Sequence, residues 1–112
     1  MLDATFYSEV LPDLVLKECK TRPDHVPVVH LHLGDSSILD TCHIVHLAPN
    51  WFGVAFYRDP QSCDDMDIAF LPYGLVTKLT LSFHLSESRK LGFRVAEHVA
   101  SERVATTRRR RK

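Results

Sequence analysis

Seven histidines are the side chains of this sequence with the widest chemical range, and their spacing decides what they could hold. His30 and His32 stand two apart in a run of alternating apolar residues. On a strand they share one face, a spacing that zinc sites use. His43 and His46 stand three apart, which on a regular strand sends them to opposite faces. Asp35 and Asp40 are acids within reach of the first pair, but no second tight pair completes a ligand set. His30 and His32 therefore read as the polar face of a strand, and no metal is assigned. Cys42 beside His43 fails as a thiol–imidazole dyad, because adjacent strand residues alternate between faces. No Gly-x-Ser-x-Gly, P-loop or His-Glu-x-x-His pattern occurs. Asp64, Asp65 and Asp67 form a loop cluster of the kind that is normally just solvated. The expectation is a protein without enzyme activity and without a cofactor.

The second kind of chemistry is electrostatic. Formal net charge is zero, yet residues 1–85 carry eleven acids against five Lys and Arg, and residues 86–112 carry three acids against nine. Five of those nine are consecutive: Arg108, Arg109, Arg110, Arg111 and Lys112. An acidic body with a basic tail suits an acidic partner, nucleic acid first, through phosphate contact and counterion release. Trp51 and Tyr73 fall at turns, where an exposed ring could stack a base. The competing reading is that both rings pack the ends of the sheet or a subunit interface.

These residues need elements to position them. Leu11, Leu14, Val15 and Cys19 recur at helical spacing within an N-terminal segment, residues 1–24, and Pro12 fits the first turn of a helix over 12–20. From Val26 the period becomes two, and five strands follow within residues 25–85. They cover Val26–Leu33, Ile38–Leu47, Trp51–Arg58, Ile68–Leu71 and Val76–Phe83, separated by Gly34–Ser37, Ala48–Asn50, a polar loop and Pro72–Gly74. Gly53 inside the third strand predicts a bend or bulge. A sheet this small leaves liable edges, which closure into a barrel or pairing between subunits would remove. Ser86 as N-cap and the stripe Leu91, Val95, Val99 predict a C-terminal helix over 86–107, with 108–112 a disordered basic tail.

The chain is long enough for one domain of mainly β class. Its three cysteines are widely spaced, without a C-x-x-C pair, and are expected to be reduced. No apolar run approaches a membrane span and no secretory signal is legible, so a soluble, cytoplasmic protein without membrane contact is expected.

The order of helix, five strands and a tight turn between the last two resembles the Sm-like (LSm) family and its bacterial Hfq branch. His25-Val26-Pro27-Val28-Val29 is similar to the start of the Hfq first strand. Gly34-Asp35-Ser36-Ser37-Ile38-Leu39 and Asn50-Trp51-Phe52-Gly53-Val54 resemble parts of the first Sm motif, and Ile68 to Leu81 the second. The glycine usual in Sm strand two is replaced here by Asp40 or Thr41. Phe70-Leu71-Pro72-Tyr73 stands where Hfq carries Tyr-Lys-His, so uridine recognition is not carried over. The resemblance implies a five-stranded, SH3-like barrel and a homo-oligomeric ring in which strand four of one copy pairs with strand five of the next. It also implies RNA as the partner. The alternative is a protein-interaction or accessory subunit that uses the same scaffold without nucleic acid.

Overall fold

The computed structural model describes residues 1–63, 65–95 and 100–101. Its elements are a π-helical stretch (Phe6–Val10), helix α1 (Leu11–Thr21), and strands β1 (His25–Leu33), β2 (Ile38–Leu47), β3 (Trp51–Tyr57), β4 (Met66–Pro72), β5 (Val76–Leu85) and β6 (Ala100–Ser101). A single 3-10 turn, Tyr73–Leu75, joins β4 to β5. The helix expected over 12–20 is present, and the segment before it is helical as well. Pro12 still lies in the first turn of α1, where the missing N–H costs least. Leu11 and Val15 are buried, whereas Leu14, at the right spacing, is exposed.

The sheet runs β4-β3-β2-β1-β5, each neighbour antiparallel, with β6 added parallel to β2. The five expected strands are present, but they do not close into a barrel. β4 and β5 occupy the two edges of an open sheet. Within the sheet, β1 and β2 pair only over Val29–His32 and Ile38–Thr41 and then fork. Beyond the fork β1 follows β5, and β2 follows β3.

The C-terminal segment enters that fork. The Phe93 N–H donates to the Pro27 carbonyl at 2.7 Å, and the Arg94 N–H to the Cys42 carbonyl at 2.6 Å. Phe93 is buried in the core while Arg94 is exposed, and residues 91–95 are not helical. The described part of the expected helix over 86–107 is therefore a turn at 86–88 followed by an extended strap, and Ala100–Ser101 is strand. Residues 96–99, 102–107 and the 108–112 tail lie outside the described residues. Gly92 explains why a helix loses here. A Cβ at that position would overlap the Pro27 carbonyl oxygen and crowd Val26, so only glycine lets the strap lie against β1.

The core lies between the helical region and one face of the sheet. Tyr7, Leu11 and Val15 pack with Val29, Leu31, Phe52, Val54, Leu71, Tyr73 and Val76. Burying each aliphatic side chain contributes about 1.5–3 kcal/mol. At its centre Phe52, Tyr7 and Tyr73 form a three-ring cluster, with centroids 4.4 Å (Tyr7–Phe52), 4.9 Å (Phe52–Tyr73) and 6.0 Å (Tyr7–Tyr73) apart. The Tyr73 hydroxyl donates to the Ala48 carbonyl at 2.6 Å. Among the described residues the buried Tyr7 hydroxyl has no partner, and burial holds its pKa well above the usual tyrosine value.

Candidate interaction surface

Because β4 alternates, Leu71 turns into the core and Met66, Ile68 and Phe70 turn to the opposite, outer face. There they stay in solvent: Ile68 is 56% and Phe70 66% exposed. Their cross-strand partners on β3 are Tyr57, Ala55 and Gly53. Gly53 serves as floor for Phe70: a Cβ there would come within 3.2 Å of the Phe70 ring and 3.0 Å of Val45. The irregularity foreseen at Gly53 instead falls on the partner strand, where β2 carries register shifts between Thr41 and His43 and between Ile44 and His46.

Those two bulges revise the histidine geometry. His43 pairs with Ala55 and His46 with Gly53, two residues apart on β3, so both imidazoles share the outer face instead of opposing each other. His46 lies against Trp51, ring centroids 5.0 Å apart and 13° from parallel. Phe70 meets the same indole edge-on at 5.9 Å. The bulge also brings neighbours together that strict alternation would separate: His43 Nδ1 lies 3.3 Å from Cys42 Sγ. Burial, then Arg94, lowers the His43 pKa, which favours the neutral imidazole. Its companion sulfur is buried and closed to a substrate.

Of the two rings proposed for base contact, Trp51 is exposed and joins this aromatic set. Tyr73 is 3% exposed and locked in the core stack, so its ring does not face solvent. Arg108 to Lys112 lie outside the described residues. His30 and His32 do share a face, 6.5 Å between centroids, but each has its own partner. His30 Nε2 contacts Asp40 Oδ2 at 3.1 Å, and His32 Nε2 contacts Thr80 Oγ1 at 3.3 Å. Among the described residues no three His, Cys, Asp or Glu groups converge as a metal site. Asp35 is occupied by its own turn, accepting from the Ser37 hydroxyl at 2.6 Å and its N–H at 3.0 Å, which lowers its pKa. In the acidic loop, Asp67 and Asp65 flank Arg58 at 3.4 and 4.0 Å.

No protein-family model matches this chain, and neither a curated protein nor a solved structure matches it.

One charged pair had no sequence signal beyond an acid in mid-strand. Asp40 and Arg89 are nearly buried and joined by two parallel hydrogen bonds of 2.5 and 2.7 Å. Arg89 also donates to the Leu91 carbonyl at 2.6 Å and lies over the Tyr57 ring. The Tyr57 hydroxyl donates to the Gly92 carbonyl at 2.8 Å. These contacts pin the strap across the outer face near β1, β2 and Cys63, and leave the β4 side uncovered.

Proposed function

We propose that this chain is a non-enzymatic, Sm-like assembly module that joins copies of itself edge to edge and binds RNA. The observation that supports it most is the placement of β4 and β5 at opposite edges of an open sheet, each with one side of its backbone unpaired among the described residues. Such edges are templates for strand addition. Head-to-tail pairing of β4 in one copy with β5 in the next is a heterologous contact, which closes into a ring when the rotation allows. The β4 edge carries one charge, Asp67, and the β5 edge Lys78 near its start, so neither is guarded by a row of like charges. Beside the start of β5 a shallow hollow of about 340 Å³, lined by Met1, Leu2, Phe6 and Val76–Leu79, gives the second edge relief that a partner strand could fill. No helix among the described residues is long and apolar enough to cross a membrane. The RNA half of the reading is supported by the basic run 108–112.

The test is the solution mass of the full chain, by light scattering across a concentration series. The expected result is a closed species of five to seven copies (from the ring reading). A monomer at all concentrations removes the edge-pairing reading. An oligomer with no affinity for single-stranded RNA at low salt leaves the protein-scaffold alternative standing.

A further inference from the structure

Two thiols lie beside the strap, and neither edge pairing nor RNA contact uses them. Cys42 is 2% and Cys63 7% exposed, and they share a small buried cluster with Ala55 and Tyr57 on the outer face, apart from the main core. The third thiol, Cys19, packs against the main core on the helical side, which puts the sheet between it and the pair. The backbone delivers both sulfurs to this cluster. The bulge between Thr41 and His43 sets Cys42 against the interval between Phe56 and Ala55 on β3. The turn at Asp59–Cys63 is closed by the Cys63 N–H, which donates to the Asp59 carbonyl at 2.9 Å, and it ends with Cys63 at φ 57°, in the left-handed region. There the Cys63 thiol donates to the Pro60 carbonyl at 3.0 Å and lies 3.7 Å from the Leu91 carbonyl of the strap. Tyr57 neighbours both sulfurs: burial, then Cys42 and Cys63, hold its pKa well above the usual tyrosine value.

We infer that Cys42 and Cys63 are a redox pair that hydrogen peroxide closes into a disulfide, with Cys63 as the sulfur first oxidised and His43 as the base for Cys42. The assignment of roles follows from position. Cys63 is the more accessible of the two and stands on a loop, whereas Cys42 is enclosed within a strand. Cys42 instead has an imidazole at hand, His43 Nδ1 at 3.3 Å from its Sγ. The neutral tautomer that carries its proton on Nε2 accepts from the Cys42 thiol, and the lowered His43 pKa favours the neutral ring. Packing alone calls for neither an imidazole on one thiol nor a left-handed residue behind the other.

The chemistry takes two steps. The Cys63 sulfur attacks one peroxide oxygen, the O–O bond breaks, and the leaving hydroxide takes the thiol proton as water, which leaves a sulfenic acid. Cys42 then passes its proton to His43 Nδ1 and attacks the Cys63 sulfur. The S–O bond breaks, and the second hydroxide recovers that proton as water. Two thiols and one peroxide thus give one disulfide and two waters. The product ties β2 to the loop that leads into β4 and draws the Cys63 sulfur away from Leu91, so the strap senses the change.

The test treats the full chain carrying Cys19→Ser, which removes the third thiol, with a small excess of hydrogen peroxide, followed by denaturation and alkylation. The expected product has lost two hydrogen atoms, about 2 Da, takes up no alkylating agent, and yields a Cys42–Cys63 peptide in a non-reducing digest. The same digest of the wild-type chain should give the same peptide. Cys42→Ala should halt at the Cys63 sulfenic acid, captured by a cyclic 1,3-dione. His43→Gln should slow closure roughly 10-fold, because a thiol without a base is only a few per cent ionised at pH 7, and should leave the rate of Cys63 oxidation unchanged. Passage of Cys63 to sulfinic acid while Cys42 stays free overturns the pair, as do covalent dimers or two thiols that still alkylate in full. A closure rate indifferent to His43→Gln overturns the base.

Discussion

At the scale of single residues, the Asp40–Arg89 pair carries the greatest stake. Two nearly buried charges are tolerable only because each satisfies the other, with His30 and the Leu91 carbonyl taking the remaining contacts. Arg89→Met leaves the Asp40 carboxylate without its main partner and should destabilise the fold by about 3–5 kcal/mol, read from denaturant unfolding. Adding Asp40→Leu removes the orphaned charge, so the double variant should recover much of that loss. A double variant no better than Arg89→Met would mean that the pair acts through strap packing alone. The cation lying over Tyr57 belongs to the same balance, since the Tyr57 hydroxyl anchors Gly92.

At the scale of elements, the strap decides how the sheet ends. Where β1 and β2 fork, the unpaired Pro27 and Cys42 carbonyls would face an apolar gap, and the strap supplies both donors together with the Phe93 ring. Gly92→Ala should dislodge residues 92–95, giving loss of amide protection at Phe93 and Arg94 by hydrogen exchange and greater thiol reactivity at the otherwise buried Cys63, whose sulfur lies 3.7 Å from the Leu91 carbonyl. Unchanged exchange and thiol reactivity would show that the close approach to Pro27 relaxes without cost. The strands were legible because Val29, Leu31 and Leu33 alternate with His30 and His32, and because Gly34–Ser37 and Pro72–Gly74 punctuate them. The strap was not. Leu91, Val95 and Val99 fit a helical stripe, and the reason for Gly92 is a carbonyl sixty-five positions away in sequence. The aromatic site was half legible for a related reason. Trp51 stood out at a turn, but its companions depend on two bulges in β2 that bring His46 over Gly53, and bulges leave no trace in the period-two pattern.

At the scale of the whole molecule, the described body is acidic, and two of its histidines have lowered pKa values. His32 is lowered by desolvation and then by Lys78 and His30, and His43 by burial and then by Arg94. A base whose folded pKa lies below its unfolded value binds fewer protons when folded, so stability must fall as the pH drops through the unfolded value of 6.5 toward the folded one. Above 6.5 both groups are neutral in either state and contribute no slope. Asp35, lowered by its Ser37 hydrogen bonds, loses its contribution only as the pH falls through and below 3.8, which keeps the windows apart. The melting temperature should therefore decline as the pH falls through 6.5, and His43→Gln should flatten the decline. Since any edge-joined assembly adds a concentration-dependent term, the comparison belongs at one fixed protein concentration. A melting temperature that rises on acidification, or a slope that His43→Gln leaves untouched, would mean that neither the outer-face bulge nor Arg94 burdens the imidazolium. The packing of the strap against β2 would then have to be looser than its 2.6 Å hydrogen bond to Cys42 implies.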